Sequence, residues 1–380
     1  MLHFLKYLRL PNPELSMAKK ICLIISDLHL GAGVFFENGD PNRREDFVHD
    51  RALADFLAFH CRGKYRSRQI DLIINGDFFE LLETLDYSEN PLRMTETAVI
   101  ARLEQIVAGH PIAFTALKKF ALGKNHSIRF ITGNHDQGLL FAGARDFLRA
   151  AIHRKVEFSE TAFTFADVYV EHGNQYVHVT RYNPNRRIVT DQTTGTPIIN
   201  HDWGSIFALE VLYRFKGESK NHLTLYNMNP FGKMILSVLG EDFGFGIRHL
   251  YSTLRFFLRS ILAKAPFGLT NWRFDRKLLN SFSLDYSAAL ESAARRILNE
   301  TKYRKVIFGH SHKNRFRKYP DGGVYINTGT WIREINLSLA SPGTWTRFPF
   351  ARIEHNGISS NVELREWKGL PVPDPTMYAE

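Results

Sequence analysis

Ile21-Cys22-Leu23-Ile24-Ile25 runs straight into Ser26-Asp27-Leu28-His29. A short apolar run, rich in branched side chains and stopped by polar residues, is the pattern of a buried strand and not of a helix. The chain repeats this habit. Lys20 to Asp27, Asp71 to Asp77, Ser127 to Asn134, Val168 to His172 and Lys305 to His310 are all apolar runs that end in Asp, Asn, Gly or His. Helical segments lie between the first three. Asp46 to His60 spaces Phe47, Ala54, Leu57 and Ala58 for one helix face, and Glu96 to Ala108 does the same with Val99, Leu103 and Ile106. Strands alternating with helices predict a layered α/β fold, in which ligands bind beyond the carboxyl ends of the strands. The polar clusters fall at those ends.

Further along, the rhythm breaks. Tyr182-Asn183-Pro184-Asn185, Gly195-Thr196-Pro197 and Asn229-Pro230 are turn signals, and Phe243 to Phe267 reads as an aromatic-rich helical stretch. Polar clusters stand on both sides of this block. The expected organisation is therefore an N-terminal extension over 1–18, a core made of 19–178 and 301–366, a mostly helical insertion or cap over 179–300, and a C-terminal arm over 367–380. Gly323 to Asn327 and Phe348 to Glu354 read as further strands of the core.

Composition narrows the partners without naming them. The net charge of +10 favours an anionic partner such as a nucleotide, a nucleic acid or a lipid headgroup. Cys22 and Cys61 are the only cysteines, which excludes a disulfide framework or a thiolate zinc site and fits a reducing, cytoplasmic setting. No stretch reaches the roughly 18 apolar residues needed to span a bilayer. Met1 to Leu10 is too short and interrupted for a secretory signal, and Met17 offers an alternative start.

The chemistry resides in Asp27-Leu28-His29, Gly76-Asp77, Gly133-Asn134-His135-Asp136, His172-Gly173 and Gly309-His310-Ser311-His312. Side chains two apart on extended backbone point the same way, so Asp27 with His29, and His310 with His312, are each expected to grip one ion. Asp, His and Asn donors without a thiolate suit Mn, Fe or Zn and not calcium. Singly, each cluster has an ordinary reading as a capped turn or a loop. Five of them at five strand ends do not.

Together the motifs resemble those of the calcineurin-like metallophosphoesterase family. Ser26-Asp27-Leu28-His29-Leu30-Gly31 is similar to its first motif, and Asn75-Gly76-Asp77-Phe78-Phe79-Glu80 to its second. Gly133 to Asp136, Glu171-His172-Gly173 and Gly309 to His312 resemble the third, fourth and fifth. The resemblance implies a two-sheet αββα sandwich that hydrolyses a phosphate ester or anhydride with two divalent ions. It implies Asp27, His29 and His312 around one ion, Asn134, His172 and His310 around the other, and Asp77 bridging both. The attacking group would be a hydroxide shared by ions about 3.5–4 Å apart. His135 would serve the leaving oxygen, with Asp136 orienting its ring. Mn is the expected metal, with Fe or Zn as alternatives. Purple acid phosphatases carry Tyr three residues after the bridging Asp, where this chain has Glu80. UDP-2,3-diacylglucosamine hydrolases share a similar second motif but carry Arg in place of His135.

Four residues near the motifs are expected to touch substrate: His178 and Arg181 after the fourth, and Arg315 and Arg317 after the fifth. Arg suits phosphate because its planar fork makes paired hydrogen bonds. The expected substrate is a small or lipid-linked phosphate compound. A nuclease or nucleic-acid phosphodiesterase is the alternative, although the basic residues are scattered and no aromatic stacking module is visible. A scaffold that only binds partners is the third reading. Finally, at about 100° per residue, Leu250, Leu254, Phe257 and Ile261 form one helical stripe, and Arg248, Ser252, Arg255 and Arg259 the opposite one. With Phe243 and Phe245 ahead of it, such a helix is expected to touch an anionic membrane peripherally, or else to pack on the cap's own core.

Overall fold

The structure, a computed structural model, describes residues 20–36, 38–83, 90–216, 228–229, 243–274, 286–336 and 343–369 of the 380. The expected extension at 1–18 and most of the arm beyond 369 lie outside the described residues, as does much of the insertion.

Two mixed sheets form the centre. In the first, β1 (Lys20–Ile25), β2 (Ile70–Asn75), β3 (His126–Ile131) and β4 (Glu157–Ser159) run parallel. The second contains β5 (Ala162–Phe165) and β6 (Val168–Glu171). A hairpin of β7 (Ile188–Thr190) and β8 (Pro197–Ile199) follows, and then the short β9 (Met228–Asn229). Next come β10 (Lys305–Phe308), β11 (Arg315–Lys318) and β12 (Val324–Asn327), which complete the second sheet in the order β11-β12-β10-β6-β5. β13 (Glu334–Asn336) and β14 (Gly343–Trp345) join β9 in a small sheet. β15 (Pro349–His355) and β16 (Ser360–Glu366) return antiparallel to complete the first, ordered β16-β15-β1-β2-β3-β4.

Side-chain alternation sorts these strands into layers. Cys22 and Ile24 of β1 face the second sheet and meet Val168, Val170, Ile307 and Ile326. Ile21, Leu23 and Ile25 face the other way, into a larger cluster with Leu53, Phe56 and Leu117 from the helices Asp50–Phe59 and Pro111–Ala121. Both faces of β1 are thus covered, which is why it reads as a continuous apolar run. Helix Glu96–Gly109 joins that outer layer, its first turn capped by Thr95, whose hydroxyl accepts from the Ala98 N–H at 3.2 Å. On the far side, Leu290, Ala294 and Leu298 of helix Tyr286–Glu300 pack beside Val306 and Phe308. The αββα sandwich is what the chain adopts. The boundary expected at residue 300 is corrected: 286–300 is the outer layer of the core, because its apolar face has the second sheet to cover.

The described part of the insertion joins the core through helix Trp203–Phe207, which continues by one π-helical stretch into Tyr213–Lys216. Trp203 and Phe207 stack at 5.6 Å and meet Phe256 of the long helix Phe243–Leu262 at 5.5 and 5.3 Å.

Candidate metal centre

Each proposed ligand sits just past a strand end. Among the described residues, seven non-glycine residues have left-handed backbone, and five of them are Asp27, His29, Asp77, His310 and His312, with φ of 50–68°. The expectation that the Asp-x-His and His-x-His pairs are extended is therefore corrected. Both pairs turn through the left-handed region, at a cost of about 1–3 kcal/mol per residue that neighbouring structure must offset. Backbone hydrogen bonds do this: the Asp27 N–H donates to the Gly76 carbonyl (3.1 Å), and the His29 N–H to that of Asp77 (3.0 Å). Glycine makes room where loops close on the carboxylates. A Cβ at Gly309 would lie 2.5 Å from Asp27 Oδ2, and one at Gly133 would collide with Asp77 Oδ1.

Among the described residues three groups of donor atoms result, one of them His29, Glu80 and His135, and the expected Asp and His ligands fall in the other two. Asp27, His29 and His312 form one, with His312 Nε2 3.4 Å from Asp27 Oδ1 and 3.1 Å from His29 Nε2. Asp77, His172 and His310 form the other, with His172 Nε2 3.0 Å from Asp77 Oδ2 and the two imidazoles 5.1 Å apart. His172 Nε2 also lies 4.0 Å from Asp27 Oδ1, so the groups adjoin. Asn134 is buried, and its Oδ1 has no hydrogen-bond partner in the structure. An orphaned amide oxygen beside two fully buried carboxylates and four imidazoles is costly in a bare protein and suits borderline divalent cations. The residues present fit divalent metal ions.

Histidine tautomers agree with this. His172 Nδ1 donates to the Asn75 carbonyl at 2.9 Å, which leaves the Nε2 lone pair facing Asp77. His29 Nδ1 meets Glu80 Oε2 at 3.0 Å, which frees Nε2 toward Asp27 and His312. His310 Nε2 meets the Thr180 hydroxyl at 3.0 Å, and its ring stacks on Tyr286 at 5.4 Å.

His135 requires a correction. Its Nδ1 faces not Asp136 but Glu80, at 2.9 and 2.8 Å from the two carboxylate oxygens. Asp136 is occupied elsewhere, accepting from the Phe78 N–H (3.1 Å) and the Gly133 N–H (2.5 Å), so it ties two motif loops together by their main chain. Burial pulls the His135 imidazole down, but the charges of Glu80 and Asp77 outweigh it and push the group up to about 10. Burial alone would raise Glu80, yet His135 and His29 hold its carboxyl well below the usual range. Glu80 also accepts from Tyr213 Oη at 3.1 Å, which brings the insertion into the site. A second link is Asp202, which caps helix Trp203–Phe207 through the Ser205 N–H (2.9 Å) and accepts from Gln137 Nε2 (3.2 Å).

The structure does not bring the four expected substrate contacts into one cluster. Arg181 bonds His178 at 3.2 Å on the surface beside Thr180. Arg315 and Arg317 reach Glu291 on the outer helix at 3.3 and 3.1 Å. Tyr213, Thr180 and Tyr286 were not signalled by the sequence, since each comes from a segment without a motif. Glu80 was given no role either, although a carboxylate directly after Phe78-Phe79 is a signal that could have found it.

No family model matches the chain, and no curated protein matches it. Solved structures align along most of it. A dimetal phosphatase from Danio rerio shares 10% identity, with 90% of this chain and 98% of that one covered, at a TM-score of 0.35. The calcineurin-like phosphoesterase YfkN from Bacillus subtilis shares 12% over 93% and 92%, at 0.32. Vacuolar Protein Sorting 29 from Cryptosporidium parvum shares 12% over 92% and 97%, at 0.31. At such scores the likeness adds no weight to the residue-level reading.

Proposed function

We propose that this chain is a metal-dependent phosphoesterase of the calcineurin-like kind, hydrolysing a phosphate ester or anhydride. The observation that supports it is the adjoining pair of donor groups; Asn134, just past β3, adds a buried amide oxygen without a hydrogen-bond partner. Asp27, His29 and His312 would hold one divalent cation, and Asn134, His172 and His310 the other, with Asp77 between them. Bound there, two such cations supply Lewis-acid stabilisation of phosphoryl oxygens and lower the pKa of water.

The chain's own residues do the rest. Glu80 fixes the His135 ring through Nδ1, so the proton available for a leaving oxygen is the one on Nε2. The ring is only 9% exposed, which limits its exchange with bulk water. Of the two substrate readings, the small or lipid-linked phosphate is preferred because the basic residues are scattered and no aromatic stacking module is visible. Arg315 and Arg317, expected to touch substrate, pair with Glu291 and favour neither reading.

The test is chelation followed by add-back of Mn, Co, Zn or Fe, assayed on phosphomonoesters, phosphodiesters and pyrophosphates. Chelation should abolish hydrolysis, and Mn should restore it best. Full activity in excess EDTA would overturn the reading.

A further inference from the structure

The long helix Phe243–Leu262 turns its buried side, Phe256 and Ser260 with half-buried Phe257, onto Trp203, Phe207 and Phe274. Its other side is apolar as well. Ile247, Leu250, Tyr251, Leu254, Leu258, Ile261 and Leu262 are between 48% and 80% exposed. Spaced by three and four residues, they make one stripe roughly 22 Å long at about 1.5 Å per residue. The sequence reading is refined here. Phe257 leaves the stripe for the core, while Leu250, Leu254 and Ile261 stay outside, and the arginines flank the stripe instead of opposing it.

An apolar stripe of this length on a folded surface marks a contact site. Its charge says with what. Arg248, Arg255 and Arg259 are exposed along one flank, and the helix contains no Asp or Glu. Arg259 is engaged, bonding Glu210 at 3.2 Å and lying 5.6 Å over the Trp272 ring. Two antiparallel copies of the stripe meeting about a two-fold axis would bring like-charged flanks together, with no acidic residue on either helix to pair them. A layer of anionic headgroups over an acyl interior complements both features at once.

We infer that this helix face is a docking surface for an anionic lipid membrane. The leucines and Ile261 enter the headgroup–acyl boundary, and Arg255 meets lipid phosphates. No described helix is long and apolar enough to cross a bilayer, so the contact is peripheral. Asp202 begins the helix that carries Trp203 and also holds Gln137, beside the His135 loop. The docking helix is thus joined through Trp203 and Asp202 to the segment that follows the third motif.

The experiment is co-sedimentation of the full chain with phosphatidylcholine vesicles, with or without phosphatidylglycerol, at low and high salt. It needs neither metal nor turnover, so it stands apart from the proposed activity. Wild type should sediment with the anionic vesicles only, and less at high salt. Leu254→Ser with Leu258→Ser should abolish binding without changing the melting temperature, since both side chains are more than half exposed. Arg255→Glu should weaken binding at least roughly fivefold, the share of one basic side chain at such a surface. Failure of wild type to bind anionic vesicles overturns the inference, as does equal binding by the serine variant or to neutral vesicles. Size-exclusion chromatography covers the rival occupant: a dimer that the serine variant dissolves, with no vesicle binding, would assign the stripe to a second copy.

Discussion

His172 and His29 occupy matching places in the two donor groups, yet they are held by different means. His172 is fixed by the main chain, its Nδ1 bonded to the carbonyl of Asn75 at the end of β2. His29 is fixed by a side chain, the buried carboxylate of Glu80, which also holds His135 and accepts from Tyr213. His172 itself thus depends on the sheet, although His310 in the same group also meets the Thr180 hydroxyl. The other half depends on a carboxylate that the insertion helps to hold and that also fixes the proposed proton donor. Changes around Tyr213 can reach the chemistry through Glu80, while the His172 ring is held by main chain.

The largest effect should come from a residue that belongs to both halves. Asp77 contacts His172 through Oδ2 and accepts the His135 N–H through Oδ1 at 2.9 Å. Asp77→Asn should reduce hydrolysis to background and lower the bound metal on both sides, as read by elemental analysis. If only one ion were lost, Asp77 would belong to a single half. His135→Ala is next. It should keep both ions and lose about 10²–10⁴-fold in rate, with the loss greatest for alkyl leaving groups that most need a proton. Equal losses on alkyl and nitrophenyl esters would remove His135 from that role.

The same contrast explains what was legible in the sequence. Strand ends were readable because β1, β2 and β10 are buried on both faces and, like β3 and β6, stop at polar residues, a pattern that local composition carries. The left-handed turns at Asp27, His29, Asp77, His310 and His312 were not readable. Backbone of that kind is imposed by hydrogen bonds from other loops, such as His310 N–H to the Asp27 carboxylate at 3.0 Å, across 283 positions. Asp136 was assigned to the His135 ring by adjacency, but consecutive side chains diverge, and the carboxylate that reaches Nδ1 is 55 positions away. Tyr213 lay beyond inference, because nothing in Tyr213 to Lys216 shows which wall of the molecule that helix will meet.

Glu80→Gln tests whether the side-chain-held half is the more fragile one. An amide oxygen in the place of Oε2 could still meet both His29 Nδ1 and His135 Nδ1, but the NH2 would then replace the oxygen that accepts from Tyr213, and the negative charge beside both imidazoles would be lost. Partners of this sort around metal ligands usually contribute 10–100-fold in affinity or activity, and a loss of about that size is expected here. Metal should be lost first from the Asp27, His29 and His312 group, leaving about one ion per chain. Unchanged metal content together with unchanged rate would mean that Glu80 only fills space.

The smallest effect, and the one that isolates the insertion, is Tyr213→Phe. The ring is buried and its replacement keeps the packing, so the change amounts to one hydroxyl, 3.1 Å from Glu80 Oε1. Glu80 retains two imidazole partners, so the loss should resemble that of a single ordinary hydrogen bond, about 1 kcal/mol or roughly fivefold in kcat. KM should hold, and both ions should remain. The loss should be larger on alkyl than on nitrophenyl esters, because a less firmly held Glu80 lets the His135 ring drift from the leaving oxygen. If Tyr213 acts only through Glu80, removing its hydroxyl in the Glu80→Gln background should cost almost nothing further, since contacting residues on one path are not additive. A full additional fivefold loss in the double variant would show that the insertion reaches the centre by some route other than Glu80, and the contrast between the two halves would have to be redrawn.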